Sequence, residues 1–233
     1  DDASIRGLHS VIVTLMGAPG SGKGTQGRQL AGALGYSYLA SGDLVRKSLA
    51  ERTPWGESVR AYIEAGQYVP DEKIVPVFLE ALRATEVGAL GGAVLDGFPR
   101  TAEQAVALDL ASVDVGYVAR PCAVVLEVPE DTLIARLSGR WLCVGCHATY
   151  NVQARPSQMP GVCDTCGEAL EQRVDDRRET IQHRLAVYHE STTPVLDFYR
   201  ARGGLASVDG DLSAADVRDA LVSATRALMS SQG

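Results

Sequence analysis

The chain has 233 residues, 45% of them hydrophobic and 22% charged, with a formal net charge of −7. That length and apolar content suit one large domain, or a core carrying insertions. The acidic balance argues against a general nucleic-acid coat or a binder of anionic membranes, so any basic chemistry must be local, and no apolar run reaches the roughly 18 residues of a spanning helix.

In chain order, residues 1–9 read as an N-terminal extension, since DDASIRGLHS has no apolar signal core. SVIVTLMG (10–17) is a short apolar, β-branched run and predicts a buried strand. A helix is expected from Lys23 to about Leu34, with Gly35 where a C-terminal cap prefers glycine. YSYLA (36–40) is a second strand candidate, and Ser41-Gly42-Asp43 opens a helical stretch that Ser41 or Asp43 can cap. Residues 57–65 and 71–85 look helical, the first ended by Gly66. AVLDGF (93–98) is a strand running into a turn, with a helix over 101–110 behind it. CAVVLEV (122–128) is a continuous apolar strand followed by a helix over 130–138, and the four-residue spacing of Arg136 and Arg140 predicts one shared helix face. The stretch 140–171 holds a cysteine cluster, Pro156, Pro160 and no helical period. A long helix follows from about Asp176 with an expected break near Pro194, then a strand over 205–210 and an amphipathic helix over 213–229.

Short buried strands alternating with helices predict an α/β fold with a five-stranded parallel sheet covered on both faces. Residues 40–69 add helices without a strand and read as an insertion; residues 139–176 read as a second one. The expected core is then 10–39, 70–138 and 177–233.

Residues 17–25, GAPGSGKGT, nearly spell the phosphate loop G-x-x-x-x-G-K-[ST], placed after a strand and before a helix. Glycines let backbone N–H groups turn toward phosphate oxygens, and the helix N-terminus favours negative charge. Lys23 adds a full charge. Position 24, where a Ser or Thr would usually hold Mg²⁺, is Gly24, and the hydroxyl arrives one residue later at Thr25.

With Pro at its third place and Gly after the Lys, the loop resembles that of the nucleoside monophosphate kinases, P-loop NTPase-like three-layer sandwiches. VLDGFPRT (94–101) resembles that family's D-G-[FY]-P-R motif, and ASGDLVR (40–46) its S-T-G-D-L-L-R, with Ser41 in place of Thr. SGR (138–140) and RVDDRRETIQHR (173–184) are similar to the flanks of the adenylate kinase lid. The resemblance covers about Ser10 to Met229. It implies phosphoryl transfer ATP + AMP ⇌ 2 ADP, with Mg²⁺ held through phosphates and waters and Asp96 behind the waters. ATP would lie on Gly20, Ser21, Gly22, Lys23, Gly24 and Thr25, with Arg136, Arg140, Thr149, Tyr150 and Leu212. AMP would lie among Ser41, Arg46, Gln67, Tyr68, Val69, Gly97, Phe98, Pro99, Arg100 and Gln104, with Arg173 and Arg184. Lys23, Asp96, Arg100, Arg140, Arg173 and Arg184 would carry the chemistry, and Asp175 and Asp176 would position the arginines. Arg177 and Arg178 are expected on the surface. His9, His147, His183 and His189 are assigned no catalytic part, because the AMP phosphate is already an anionic nucleophile.

Cys143-x2-Cys146 and Cys163-x2-Cys166 form two knuckles, a spacing that predicts one closed, structural Zn²⁺ site in an insertion too small to bury much core. His147 is a weaker candidate ligand, and Cys122 reads as a small core residue. A nucleic-acid-binding zinc ribbon is a rival reading. Between Cys143 and Glu171 the only Lys or Arg is Arg155, against Asp164, Glu168 and Glu171, a poor footprint for a phosphate backbone. A switch-type P-loop protein without a phosphate acceptor is a second rival, against which the set of Arg46, Arg100 and Gln104 argues for a second nucleotide site. Among kinases, one acting on UMP/CMP or GMP is the alternative. The expected partners are ATP and AMP/ADP, without nucleic acid or membrane. The expected protein is a monomer in the cytoplasm, or in an organelle after removal of a targeting segment.

Overall fold

The structure, a computed structural model, describes residues 11–85, 91–117, 119–146, 148–152 and 155–231. The expectations for residues 1–9, Ser10, His9 and His147 lie outside these. The chain runs β1 (Val11–Gly17), α1 (Lys23–Leu34), β2 (Ser37–Ala40), α2 (Ser41–Ala50), α3 (Pro54–Glu64), α4 (Asp71–Ala84), β3 (Gly92–Asp96), α5 (Ala102–Val115), β4 (Cys122–Glu127) and α6 (Glu130–Ser138). Three short strands follow, β5 (Arg140–Cys143), β6 (Thr149–Asn151) and β7 (Leu170–Glu171), then a 3₁₀ turn (Val174–Asp176), α7 (Arg178–Arg200), β8 (Leu205–Asp209) and α8 (Ala214–Ser231).

Five strands form one sheet in the order β2-β3-β1-β4-β8, with every neighbouring pair parallel. Every residue of β1 is buried, as a central strand covered on both faces requires. Its side chains alternate. Val11, Val13 and Leu15 pack with Leu30 and Ala31 of α1 and with Val217, Leu221 and Leu228 of α8. Ile12 packs on the other face with Phe78 and Leu82 of α4 and Leu108 of α5, and Met16 with Val195 and Tyr199 of α7. The chain moves outward from β1 to β2, returns to β3, then crosses β1 to reach β4. That reversal opens a crevice at the carboxyl ends of the strands, where such sheets bind ligands. β5, β6 and β7 make a separate antiparallel sheet in the order β6-β5-β7.

The structure differs from the sequence expectations at several element ends. The helix expected to break near Pro194 runs unbroken from Arg178 to Arg200. A mid-helix proline costs about 3 kcal/mol, but Val195 and Tyr199 beyond it are almost fully buried, and burying two such side chains gives back about as much or more. α3 starts at Pro54, earlier than expected, because Thr53 Oγ1 accepts from Gly56 N at 3.0 Å and Pro fits the first turn. α5 continues to Val115, where Gly116 at φ 90° ends it. α2 has no side-chain cap at its start; Ser41 and Asp43 have other partners, described below. Gly35 caps α1 as expected, at φ 68°.

Candidate active site

The loop between β1 and α1 lies at the crevice and depends on glycine. Gly17, Gly20 and Gly22 have φ of 143°, 87° and 94°. A Cβ on Gly20 would come within 2.9 Å of Leu137 Cγ and 3.0 Å of the Leu133 carbonyl, so only glycine lets the loop lie against α6. The first turn of α1 has no acidic side chain, leaving its N-terminal field open to an anion. Lys23 folds back over the loop and donates to the carbonyls of Gly17 at 2.6 Å and Ala18 at 2.9 Å. Burial pushes its ammonium down to about 8, with Arg100, Arg184 and Arg140 acting in the same direction and Asp96 opposing. Gly24 and Thr25 are exposed next to it.

Asp96 ends β3, in register with Leu15 of β1. Its Oδ2 accepts from the Tyr38 hydroxyl at 2.8 Å. Burial and the Asp96 charge push the Tyr38 pKa up, so the hydroxyl stays a donor. The Arg28 guanidinium lies 4.5 Å from the Tyr38 ring centre and pairs with Asp43, which also pairs with Arg46. The sequence reading singles out neither Tyr38 nor Arg28. Their meeting with Asp96 and Asp43 is set by strand register and helix packing, and no motif spacing announces it.

The second set of expected residues gathers around the turn after β3. Gly97, at φ 72°, presents a carbonyl that accepts from Ser41 Oγ at 2.7 Å and from Arg100 Nε at 2.7 Å. Ser41 therefore joins α2 to this turn instead of capping its own helix. Arg100 lies 4.6 Å from the centre of the Tyr68 ring. Gln104 is buried; its Oε1 accepts from Arg100 N at 2.7 Å and its Nε2 donates to Asp71 at 2.6 Å. Thr101 donates to the other Asp71 oxygen at 2.6 Å. Asp71 is thus the hidden support of Gln104; its place at the start of a helix makes it look like an ordinary first-turn acid. Phe98 stacks on Phe78 in the core, Pro99 is buried beside it, Val69 packs with Val45, Val59 and Ile74, and Gln67 is exposed.

Arg140, Arg173 and Arg184 meet around Asp175 and Asp176. Arg140 makes a two-pronged contact with Asp176 at 2.7 and 2.6 Å, Arg173 one with Asp175 at 2.8 and 2.5 Å, and Arg184 reaches both carboxylates at 3.1 and 2.9 Å. The Asp176 side chain has no exposed surface and that of Asp175 is 8% exposed. Burial opposes ionisation of Asp175, but Arg173, Arg184 and Arg140 together hold its carboxyl below the usual range. Burial, with Arg140 adding to it, pushes Arg173 down to about 10. Arg136 and Arg140 do not share a helix face. α6 ends at Ser138 and Arg140 opens β5, so Arg136 turns instead to Gly210 O at 3.0 Å and Asp211 at 3.1 Å. Leu212 follows that segment and is exposed. Arg177, Arg178, His183 and His189 are exposed, and Cys122 is buried in the sheet.

The sequence-predicted residues thus fall into one electrostatic neighbourhood. Lys23, Arg46, Arg100, Arg140, Arg173 and Arg184 outnumber the carboxylates Asp43, Asp96, Asp175 and Asp176, in a protein whose overall charge is −7. This is a place for a polyanion.

Cys143, Cys146, Cys163 and Cys166 bring their Sγ atoms within 4.8 Å of one another. Cys143 and Cys166 are 3.3 Å apart and Cys146 and Cys163 3.5 Å, far beyond the roughly 2.05 Å of a disulfide. A tetrahedron of thiolates about 2.3 Å from a zinc ion has sulfur–sulfur edges of about 3.8 Å, so the four groups fit Zn²⁺. The amides of Cys146 and Thr165 point at the sulfurs of Cys143 and Cys163, both at 3.4 Å. Tyr150 is buried here, its hydroxyl accepting from Asp164 N at 2.8 Å, while Thr149 is exposed.

The family profile described as adenylate kinase matches residues 15–204. The chain is 42% identical to an adenylate kinase of Lachnospira eligens over 90% of this chain and 97% of the relative. It is 42% identical to one of Streptomyces griseus, over 92% and 97%, and 44% identical to one of Acidothermus cellulolyticus, over 84% and 89%.

Proposed function

Because this chain belongs to the adenylate kinase family, we propose that its two phosphate-binding arms hold ATP and AMP on either side of Lys23 and Asp96. The chain is a phosphotransferase with adenylate kinase function, ATP + AMP ⇌ 2 ADP. One observation supports the arrangement above the rest: Lys23 shares its electrostatic surroundings with Arg100, Arg140 and Arg184 as well as Asp96. Two polyanions repel each other, and a half-buried cationic cluster between them offsets that repulsion.

Each residue then has a task. The loop amides and Lys23 grip the β- and γ-phosphates. Arg46 and Arg100 take the monophosphate. Arg140, Arg173 and Arg184 surround the transferring phosphoryl group, whose transition state spreads charge over its equatorial oxygens. Gln104 spends one acceptor and one donor on Arg100 N and Asp71, so its amide retains one of each, the pair an adenine edge requires. No general base is needed. Residues 40–69 would close over AMP and 139–176 over ATP, on a core of 10–39, 70–138 and 177–233, excluding water from the transfer.

Two metals belong to this reading. The position a side chain would take at Gly24 is open, with Asp96 Oδ2 3.7 Å from it, which suits an ion that keeps most of its waters. Mg²⁺ bound there with ATP would neutralise part of the β- and γ-phosphate charge. Zn²⁺ on the four cysteines would be a structural cross-link. We further propose a monomer acting in the cytoplasm on free nucleotides. Among the described residues no helix is long and apolar enough to cross a membrane, and the acidic net charge disfavours nucleic acid.

The deciding assay supplies ATP with AMP, GMP, CMP or UMP and follows diphosphate formation. AMP is expected to be preferred by roughly a hundredfold or more, because a site built to hydrogen-bond one base edge rejects others. ATP loss without AMP-dependent ADP would sink the kinase assignment; a preferred acceptor other than AMP would sink the base assignment. Arg100→Ala should raise KM for AMP on the order of tenfold to a hundredfold, the worth of a charge-assisted hydrogen-bond pair, with a much smaller change for ATP in steady-state kinetics.

A further inference from the structure

The loop's oddity is its missing hydroxyl. Residue 24 has no side chain, yet the place one would occupy is not without a hydroxyl: a Cβ there would lie 4.0 Å from the Tyr38 oxygen and 3.7 Å from Asp96 Oδ2. Those two oxygens are themselves hydrogen-bonded at 2.8 Å. We propose that Tyr38 is a positioning residue for the metal-bound nucleotide, its hydroxyl reaching in from β2 to fix the Asp96 carboxylate beside the open position at Gly24.

Two contacts hold the tyrosine to this task, and an ion pair stands behind the second. Its ring packs on Gly27 so closely that a Cβ there would meet Tyr38 Cε2 at 2.7 Å. Arg28 covers the ring at 4.5 Å. Arg28 is in turn held at 2.5 Å by Asp43, which also pairs with Arg46. The hydroxyl therefore has a fixed origin, and Asp96 loses a rotational freedom that a strand-end carboxylate would otherwise keep. A carboxylate that must meet the waters of a hydrated ion gains from being held still, since groups behind a metal's ligands tune affinity through orientation. The same chain of contacts runs from Asp96 through Tyr38 and Arg28 to Asp43 and Arg46, so the metal side and the monophosphate side share one support.

The inference rests on the Mg²⁺·ATP site proposed above, and its test separates the two. Tyr38→Phe removes the oxygen and keeps the ring with its Gly27 and Arg28 contacts. Calorimetry should measure binding of ATP with excess Mg²⁺ and of ATP in chelator, for wild type, Tyr38→Phe, Asp96→Asn and the double variant, each checked by thermal melting. The expected result is that Tyr38→Phe melts like wild type, binds metal-free ATP equally well and loses about tenfold in affinity for Mg²⁺·ATP, with a matching rise in the Mg²⁺ concentration needed for half-maximal turnover. Added to Asp96→Asn it should change nothing further. Equal losses for both forms of ATP, no loss for either, or a full additional loss in the double variant would each overturn the proposal. A Tyr38→Phe protein that fails to fold would overturn it too, since the hydroxyl would then be a stability element. A wild-type protein that forms no AMP-dependent ADP would instead defeat the kinase assignment.

Discussion

Lys23→Met is expected to lower kcat by about a thousandfold while the protein stays folded, because on the function proposed above it removes the charge that grips the β- and γ-phosphates. The folded state should not suffer. The ammonium is held against its own preference: burial and the charges of Arg100, Arg184 and Arg140 bring it down to about 8 from 10.5. Below about pH 8 the lysine is protonated in both folded and unfolded chains, and the whole cost of burying the charge falls on the folded one. Between about pH 8 and 10.5 the unfolded chain binds a proton that the folded one has released, so stability at this position rises with pH. In the absence of nucleotide the methionine variant should therefore melt at or above the wild-type temperature at pH 7, and the difference should shrink as pH climbs toward 10. Melting curves across that range check it; a variant that melts well below wild type at pH 7 would show that Lys23 holds the loop together more than it strains it.

Stripping metal from the cysteine knuckles is expected to cut turnover by about a hundredfold, comparable to losing one well-aimed donor, and to loosen residues 140–171 without unfolding the parallel sheet. Among the described residues the insertion's apolar packing is small. Its buried cluster is Cys143, Tyr150, Cys163 and Leu170, with Trp141 and Ala148 packed alongside, and β7 is only Leu170–Glu171. Structural zinc in small domains supplies on the order of 10 kcal/mol or more, far beyond what such a cluster can. With the roles proposed above, the effect would reach the chemistry because Arg140 opens β5 and Arg173 follows β7, close to the small sheet. Purified protein should contain about one zinc per chain, as one closed four-cysteine site requires. After chelation, hydrogen exchange should rise in this segment and stay slow in β1, β3 and β4. A metal content near zero in active protein would refute the zinc assignment.

How much of this was legible in the sequence follows from where the information lies. Buried parallel strands read as unbroken apolar runs, so β1 and β4 stand out, and the cysteine knuckles are local spacings that need no tertiary knowledge. The phosphate loop and the Asp96-to-Arg100 turn are also contiguous. The tertiary partners were not legible. Tyr38 reaches Asp96 because β2 pairs with β3 in the register Ala40↔Asp96, and Asp71 supports Gln104 from a different helix. The helix through Pro194 is decided by what Val195 and Tyr199 bury, a sum that local propensity does not contain. The end of α6 at Ser138 matches the sequence expectation; Arg136 and Arg140 diverge because Arg140 lies beyond that end, in β5, so a four-residue spacing that would share a face inside one helix does not apply across it.

The contacts at the base of the zinc-type insertion carry a mechanical consequence. The chain enters it after Ser138 and leaves it at Asp176, and these two crossings are braced to each other: Arg140 grips Asp176 with both prongs, and Gln172 Nε2 donates to Ser138 O at 3.0 Å. Asn151 adds a bond to Arg136 O at 3.1 Å from the second strand. Two separate tethers would let the insertion roll and shear as it moved. In the closure proposed above, braced tethers would leave the insertion one axis, so that it would swing as a stiff flap and carry Arg140 and Arg173 back to the same place each time.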